Sequence, residues 1–532
     1  MTSHRTPSPP SDLPPDDAAP PMPEISVPML DPAPPRRAKA LMFQGTSSDV
    51  GKSLLVAGLC RAYARRGVKV APFKAQNMSN NAAVAADSDL PPGPDGVAPP
   101  GEIGRAQALQ ARAAGLPPSI HMNPVLLKPQ AMVGSQVVLR GRALGNWPAR
   151  HYHELKPKLL PAVMDSFNRI AAEADLVLVE GAGSGTETYL RKSDIANMRF
   201  AEAADLPVVL VTDNDRGGAM AAVVGSWLLH TEPERARIAG FLVNKFRGYF
   251  SLYDPACRSI TEITGWPLLG VARWFDAASR LPAEDALALE RPASGTGQGL
   301  VIAVPHIARM ANFDDLDPLS AEPGVDLRWV RPGEPIPAEA DVVLLPGSKT
   351  TRPALDSIRA NGWDIDIQAH LRRGGRVVGI CAGFQMLGRT VRDPQGLEGP
   401  PGETPGLGLL DIETEIGPEK RLAEVAALDT VSGARITGYE MHMGVTRGPG
   451  LDRPWMMLNG RPEGALSADG RVMGGYVHGI FGADGFRRHW LTAMGGRASG
   501  LDHAARIEAT LEALADQLET DLDLDALLTL AR

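Results

Sequence analysis

The feature that most restricts this chain is a series of short, uninterrupted apolar runs separated by amphipathic stretches of helical length. Ala40–Gln44, Val68–Phe73, Asp175–Glu180, Pro207–Thr212, Ile238–Val243 and Pro267–Val271 have this character. A strand that is apolar on both faces must be covered on both faces, as in a parallel sheet between helices. Lys52–Arg66, Glu102–Ala114, Pro157–Glu173 and Gly217–Leu229 are the matching helices. The pattern predicts a doubly wound α/β domain over residues 39–289, with Ser88–Gly101 as a Pro/Gly-rich surface insertion. Glu290–Gly299 (ERPASGTGQG) has no apolar periodicity and the composition of a linker. Leu300–Val304, Leu327–Val330, Asp341–Leu345, Arg376–Ile380 and Gly474–Val477 then predict a second α/β domain over 300–495. Residues 496–532 alternate apolar and acidic side chains as an amphipathic helical tail does.

The remaining composition removes several function classes. Pro fills 12 of the first 35 positions, so residues 1–38 read as a disordered leader with too little apolar surface to fold. Net charge is −8, which supplies no global basic field and argues against a nucleic-acid partner. The three cysteines, Cys60, Cys257 and Cys381, lie far apart without C-x-x-C spacing, so neither a zinc site nor a disulfide framework is expected. A reducing cytoplasm fits that usage. The longest apolar run, around Ala219–Leu229, is about half the length of a membrane span, and the N-terminus lacks a signal pattern. No membrane partner is expected, and oligomeric state has no signature here.

The first apolar run feeds Gly45-Thr46-Ser47-Ser48-Asp49-Val50-Gly51-Lys52-Ser53, which opens a helix. Glycines let the backbone approach phosphate oxygens, N–H groups at the helix start point inward, and Lys52 adds a point charge. Ser53 is placed to hold Mg²⁺. The loop is one residue longer than the usual P-loop. A glycine-rich turn with a solvated lysine is the alternative, and the strand–loop–helix setting counts against it. Gly45, Thr46, Asp49, Gly51, Lys52 and Ser53 are therefore the expected nucleotide contacts. Glu180 ends a strand, where such sheets face their ligand crevice, and is a second candidate for Mg²⁺. Asp213 and Asp215 in TDNDRGG either serve metal or substrate or cap the next helix. Asn244 ends the strand of GFLVNKFRG, placed to read a nucleotide base.

In the second domain, Arg376–Ile380 runs into Gly379-Ile380-Cys381-Ala382-Gly383-Phe384-Gln385 and then a helix. G-x-C-x-G is a nucleophile elbow with cysteine in place of serine: the tight turn needs small neighbours and presents the thiol above the sheet. A buried structural cysteine is the alternative, disfavoured by glycines on both sides. His478, in GYVHGIF just past a predicted strand, is the candidate base that takes the thiol proton and later protonates the leaving group. The N–H of Ala382 and the turn Leu345-Pro346-Gly347-Ser348-Lys349 are candidate oxyanion donors. Gly347, Ser348, Ala382 and Gln385 make up the expected pocket.

These motifs resemble known families. The longer P-loop followed by VEGAGS resembles the dethiobiotin synthetase-like branch of P-loop proteins. That resemblance implies carboxylate phosphorylation by ATP along Gly45–Ser53, Mg²⁺ near Ser53 and Glu180, and a substrate-side lysine at Lys74. The cysteine elbow with a histidine about 100 residues later resembles class I glutamine amidotransferases, flavodoxin-like domains that release ammonia from L-glutamine. Those carry His-x-Glu; here Ile480 takes the Glu position. The pair is then a dyad, or its orienting group comes from elsewhere. Glu440 of GYEMHMG is a candidate for that role, and His442 is a rival base that reads better as pocket wall.

Taken in order, FQGTSSDVGKS, PFKAQNMSNN, GEIGRAQALQA, NPVLLKP, VEGAGS, SDIANM, NKFRG, LPGSK, GICAGFQ, GYEMHMG and GYVHGIF resemble the cobyric acid synthase family of cobalamin biosynthesis, over residues 39–495. The resemblance implies four amidations, at carboxylates b, d, e and g of adenosylcobyrinic acid a,c-diamide, each using one ATP and one glutamine. Gln76–Asn81 and Arg105–Gln110 would then face the corrinoid. Asn214, where the family usually has an apolar residue, and Tyr249, where an acid is common, depart from the pattern. Cobyrinic acid a,c-diamide synthase shares both domain types, but KAQNMSNN and SDIANM disfavour it. A ParA-like ATP switch needs no glutaminase. An amidotransferase domain kept only as scaffold is the remaining alternative.

Overall fold

The computed structural model describes residues 36–87, 89, 98–131, 134–284 and 299–532. The leader up to residue 35, most of the insertion at 88–101 and most of the linker at 290–299 lie outside the described residues. In the first domain the six predicted apolar runs become β1 (Lys39–Gly45), β2 (Val70–Phe73), β3 (Leu176–Ser184), β4 (Val208–Asp213), β5 (Ile238–Phe246) and β6 (Leu268–Arg273). They form one parallel sheet in the order β6–β5–β4–β1–β3–β2. One face packs on a cluster around Phe73, Phe167 and Phe200, whose rings lie 5.3–5.5 Å apart. The other face is covered by helix α1 (Lys52–Arg65). The ends of β1 and β3 open beside each other, and the glycine-rich loop leaves from β1.

Residues 76–148 hold structure that the apolar runs did not announce. Gln76–Met78, Val125–Ala131, Gly134–Leu139 and Arg142–Pro148 build a separate four-stranded sheet, and Ala82–Ala85 pairs with Gly101–Gly104. The expected helix from Glu102 therefore begins later, as α2 (Arg105–Ala113). The helix expected to start at Pro157 instead runs Ala149–Glu173 with Pro157 and Pro161 inside it.

The second domain contains β7 (Leu300–Pro305), β8 (Val325–Val330), β9 (Val342–Leu345), β10 (Arg376–Ile380), β11 (Glu413–Asp429), β12 (Arg435–Arg447), β13 (Ala465–Leu466), β14 (Val472–Gly475) and β15 (Val477–His478). Its main sheet runs β8–β7–β9–β10–β14–β13, parallel except for β13. The helix α3 (Ala382–Met386) follows β10. The predicted strand Gly474–Val477 is split at Tyr476: β14 stays in the main sheet, while β15 crosses to pair with β12 of the long β11–β12 hairpin. That switch sets His478 opposite Tyr439.

The tail forms α4 (His503–Asp521) and α5 (Leu524–Leu530) and returns to the first domain. Leu511, Leu514 and Leu518 pack into the cluster of Leu55, Leu59 and Tyr63 on α1. Arg61 and Arg65 pair with Glu508, Glu512, Asp516 and Glu519 along the flank. Ala40 and Arg532 exchange both backbone hydrogen bonds. Among the described residues no helix is long and apolar enough to cross a membrane.

Candidate active site

Cys381 has φ 54° and ψ −110°, a left-handed backbone that a side chain rarely adopts. The strain is the structural reason for the flanking glycines. A Cβ on Gly379 would stand 2.6 Å from the Gly383 backbone, and one on Gly383 would stand 2.0 Å from the Leu345 carbonyl. The turn can form only if both positions lack side chains. It leaves the thiol buried, donating to the Met441 carbonyl at 3.6 Å.

His478 is oriented from a place the sequence did not suggest. Its Nδ1 lies 2.6 Å from Oδ2 of Asp315, and the other oxygen of that carboxylate accepts the Gly479 N–H at 2.7 Å. A carboxylate on Nδ1 fixes the proton there and leaves Nε2 as the working nitrogen. Nε2 is buried without a hydrogen-bond partner. Tyr439 stacks on the ring at 5.1 Å. Burial alone would lower the imidazole pKa, but the negative charges of Asp315 and Cys381 outweigh it and lift the group to about 10. Asp315 lies in the single helical turn Phe313–Leu316, beside Asp314 and Asp317 and well past the end of β7 at Pro305.

The other candidates divide. The pocket before Cys381 is lined by Gly347, Ser348, Ala382 and Gln385, as expected, and also by Asn80 and Lys128 from the first domain. The Ser348 hydroxyl is taken up by backbone carbonyls, 2.8 Å from that of Ala308 in the segment after β7 and 3.1 Å from that of Thr350 in its own turn. Gln385 is fixed in the wall: its amide donates to the Met443 carbonyl and the Tyr476 hydroxyl and accepts from Thr351. Glu440 does not orient His478; it is buried between Arg421 and Arg461. His442 stacks on Tyr476 at 3.7 Å, and burial holds its pKa down to about 4, so it is a neutral part of the wall.

At the other end, the loop from Gly45 closes around Lys52, whose ammonium donates to the Gly183 carbonyl at 2.8 Å and the Ser47 carbonyl at 3.4 Å. Burial brings the Lys52 pKa down to about 8. Gly51 has φ 85°, and a Cβ there would meet the Asn244 amide at 2.6 Å. Asn244 itself donates one amide hydrogen to the Val50 carbonyl at 2.7 Å and so braces the loop, a bond that uses neither its second N–H nor its carbonyl oxygen. Thr46 lies 3.3 Å from the Thr212 hydroxyl, and Asp49 lies 3.7 Å from Arg216. Asp213 and Asp215 pair with Lys245 and Arg247 and cap no helix; the next helix has Gly218 at its N-cap.

Ser53, Glu180 and Lys74 converge as expected, and Glu284 joins them. The Ser53 hydroxyl is 2.7 Å from Glu180 Oε1 and 2.8 Å from Glu284 Oε2. Lys74 Nζ is 2.8 Å from Glu180 and 2.9 Å from Glu284. Gln110 donates to the second oxygen of Glu180 at 2.7 Å. Burial opposes the charge on Lys74, but the two carboxylates outweigh it and raise its pKa. These donors are hard oxygens, the set Mg²⁺ takes. No sequence motif marks Glu284.

Comparison with known proteins places both domains in known families. Residues 41–288 match the CobQ/CobB/MinD/ParA nucleotide binding domain, and residues 301–486 match the CobB/CobQ-like glutamine amidotransferase domain. A cobyric acid synthase of Cereibacter sphaeroides is 59% identical over 494 residues, covering 93% of this chain and all of the relative. That of Mesorhizobium japonicum is 54% identical over 495 residues with the same coverage. The chain belongs to the cobyric acid synthase family. It is an enzyme, and its two α/β domains are those that the sequence resemblance implied.

Within this member of the cobyric acid synthase family the two sites meet across one seam. Asn312 donates its N–H to the Asn81 side chain at 2.7 Å and accepts the Ala82 N–H at 3.0 Å. Arg105 pairs with Asp314 at 3.1 Å and donates to the Tyr439 hydroxyl at 2.6 Å. Buried Glu102 is gripped by Lys128 of its own domain and Lys420 of the other. Burial would raise the Glu102 pKa, but the two lysines outweigh it and bring it to about 2. Gln76–Asn81 and Arg105–Gln110, expected to face a corrinoid, are therefore largely committed elsewhere. Gln76 binds Tyr152, Asn77 binds Gln107, and Asn81 and Arg105 build the seam.

Proposed function

We propose that this chain amidates carboxylates b, d, e and g of adenosylcobyrinic acid a,c-diamide to give adenosylcobyric acid, using one ATP and one L-glutamine at each step. One observation supports it above the rest. A Cys–His–Asp arrangement and a P-loop carboxylate cluster stand in one chain, and residues of both domains line the pocket at Cys381. The Cys381 thiolate attacks the side-chain carbon of glutamine, and the oxyanion takes N–H donors from Ala382 and the Gly347–Ser348 turn. His478 gives its Nε2 proton to the leaving nitrogen, so ammonia departs and a thioester stays on Cys381. Water then attacks the thioester with His478 as base, releasing glutamate. Asp315 holds the Nδ1 proton through both steps.

ATP lies along Gly45–Ser53, with Thr46, Asp49, Gly51 and Lys52 about its phosphates and Asn244 bracing the loop. A corrinoid carboxylate beside Lys74 takes the terminal phosphoryl group, giving an acyl phosphate. Ser53 and Glu180 would hold Mg²⁺, which would neutralise charge on the phosphates. Ammonia attacks the acyl carbon, phosphate leaves, and the amide forms. Asn80 stands where the glutamine pocket meets the first domain, so the seam at Ser79–Asn81 is the shielded way between the sites.

The test is mass spectrometry of purified protein with Mg-ATP, glutamine and adenosylcobyrinic acid a,c-diamide. A ladder of carboxyl-to-amide steps ending at the fourth is expected. Two amidations starting from cobyrinic acid, with none here, would move the reading to the a,c-diamide synthase. Glutamine left untouched with either substrate would return the chain to an ATP switch. Cys381→Ser is expected to abolish glutamine use and to spare amidation at high external ammonium; loss of both would show that the sites are not separable.

A further inference from the structure

Glu284 is the last described residue before the segment that leads to the second domain, and its side chain reaches the P-loop. Its placement is built. Ser79 donates its hydroxyl to the Glu284 carbonyl at 2.7 Å, and Asn81 donates its amide to the Ala283 carbonyl at 3.3 Å. These bonds hold the backbone so that one carboxylate oxygen meets Lys74 and the other meets Ser53.

The contacts at Ser53 are one proton short. A hydroxyl has a single hydrogen to donate, yet its oxygen lies 2.7 Å from one carboxylate oxygen and 2.8 Å from another. One of those two oxygen pairs has no hydrogen between it. Lys74 lies against both carboxylates and the Lys52 ammonium also feels both, so the charges of the cluster balance and the missing proton is its deficit. A small cation among the three oxygens removes it. Mg²⁺ binds oxygen at about 2.0–2.1 Å in an octahedron, which sets adjacent ligands about 2.9 Å apart. The spacings from Ser53 are those of neighbouring ligands on one face.

We propose that Glu284 is a direct ligand of the Mg²⁺ that accompanies ATP, completing a protein face of Ser53 Oγ, Glu180 Oε1 and Glu284 Oε2. Through its other oxygen it also fixes the Lys74 ammonium beside the reacting phosphate. The inference rests on the reading of the P-loop as an Mg-ATP site and adds a ligand to it. Two carboxylates also make the site more demanding of metal than a P-loop with a single acid, because nucleotide without Mg²⁺ meets a second negative group.

The experiment is titration of the full-length protein with ATP by calorimetry over a series of Mg²⁺ concentrations, repeated with Mn²⁺ followed by its spin resonance. Wild type is compared with Glu284→Gln and Glu284→Asp, and the melting temperature of each variant reports folding. For Glu284→Gln, half-maximal tightening of ATP is expected at roughly tenfold or more higher metal concentration than for wild type. ATP affinity without metal is expected to be unchanged or improved, since a negative charge has been removed. Glu284→Asp, which keeps a carboxylate on a shorter stem, is expected to fall between. Metal curves that overlay for Glu284→Gln and wild type would overturn the proposal. So would an ATP affinity that changes by the same factor at every metal concentration, which is the mark of a structural brace or a plug. If wild type itself binds ATP with no metal dependence, the Mg-ATP reading of the P-loop fails and takes this inference with it.

Discussion

The bond from Asp315 to Nδ1 leaves His478 a single nitrogen with which to exchange protons with Cys381. An asparagine at 315 still fills the space but no longer holds a carboxylate against an imidazolium, and the ring loses its preferred tautomer. Asp315→Asn is expected to lower glutamine-dependent turnover by about 10²–10⁴-fold, read as glutamate release, with ammonium-dependent amidation unchanged. Equal loss of both would assign Asp315 to the fold and not to the proton transfer. The same pair makes a stability prediction. The His478 pKa is raised to about 10, against about 6.5 for a free imidazole. A raised group contributes stability that is fully present below pH 6.5 and is lost as pH climbs through 10. The urea midpoint of wild type should therefore exceed that of His478→Gln most at pH 6, with the gap closing toward pH 10. A gap independent of pH would mean that no ion pair is there. Cys381 and His478 were legible because each stands in a local pattern, a glycine-flanked turn and a strand end. Asp315 was not, because a carboxylate can approach an imidazole from any segment that borders the same crevice.

At the scale of elements, continuous apolar runs revealed both parallel sheets, since burial on two faces leaves no other composition open. The β11–β12 hairpin escaped because Gly417 and Pro418 interrupt the period of two where the register shifts between Glu415 and Lys420. The sheet within residues 76–148 escaped because its strands (VLLKPQA, GSQVVL, RALGNWP) mix apolar residues with Gly, Pro and polar side chains and show no continuous apolar run. Helix α4 was visible as amphipathic, but its partner was not. That partner is α1, the helix that begins at the P-loop lysine. Gly58 on α1 is the point of closest approach: a Cβ there would stand 2.4 Å from Leu518 and 2.8 Å from Leu514. Gly58→Leu is expected to cost about 1–3 kcal/mol in chemical unfolding by overpacking, and to weaken ATP binding as α1 shifts. An unchanged unfolding midpoint would mean that the tail gives way freely and does not support the nucleotide site.

For the whole molecule, the decisive residue is Asn312, which belongs to both domains at once. Its side chain accepts the Ala82 N–H, its own N–H is bound by Asn81, and its carbonyl starts the turn by accepting the Asp315 N–H at 3.1 Å. Asn81 in turn holds the Ala283 carbonyl, next to Glu284 at the P-loop. Unbroken contacts thus run from Ser53 and Lys74, through Glu284 and Asn81, to Asp315 and His478. Each end has a reason to inform the other, because ammonia released with no acyl phosphate waiting is wasted. Asn312 has φ 51°, a conformation glycine adopts without cost. Asn312→Gly therefore keeps the turn and the backbone N–H to Asn81, and removes the side-chain bond to Ala82, one of the two bonds that Asn312 makes across the seam. In wild type, glutamate release is expected to rise when ATP and corrinoid are both present. In Asn312→Gly that stimulation should fall by about fivefold or more, within the usual range of coupling energies, and glutamate should exceed amide among the products. Unstimulated glutamine hydrolysis should stay at the wild-type rate, since Asp315 and His478 are undisturbed. If stimulation persists unchanged, communication runs instead through Arg105, which links Asp314 and Tyr439 across the same seam, and Arg105→Lys becomes the variant in which it should disappear.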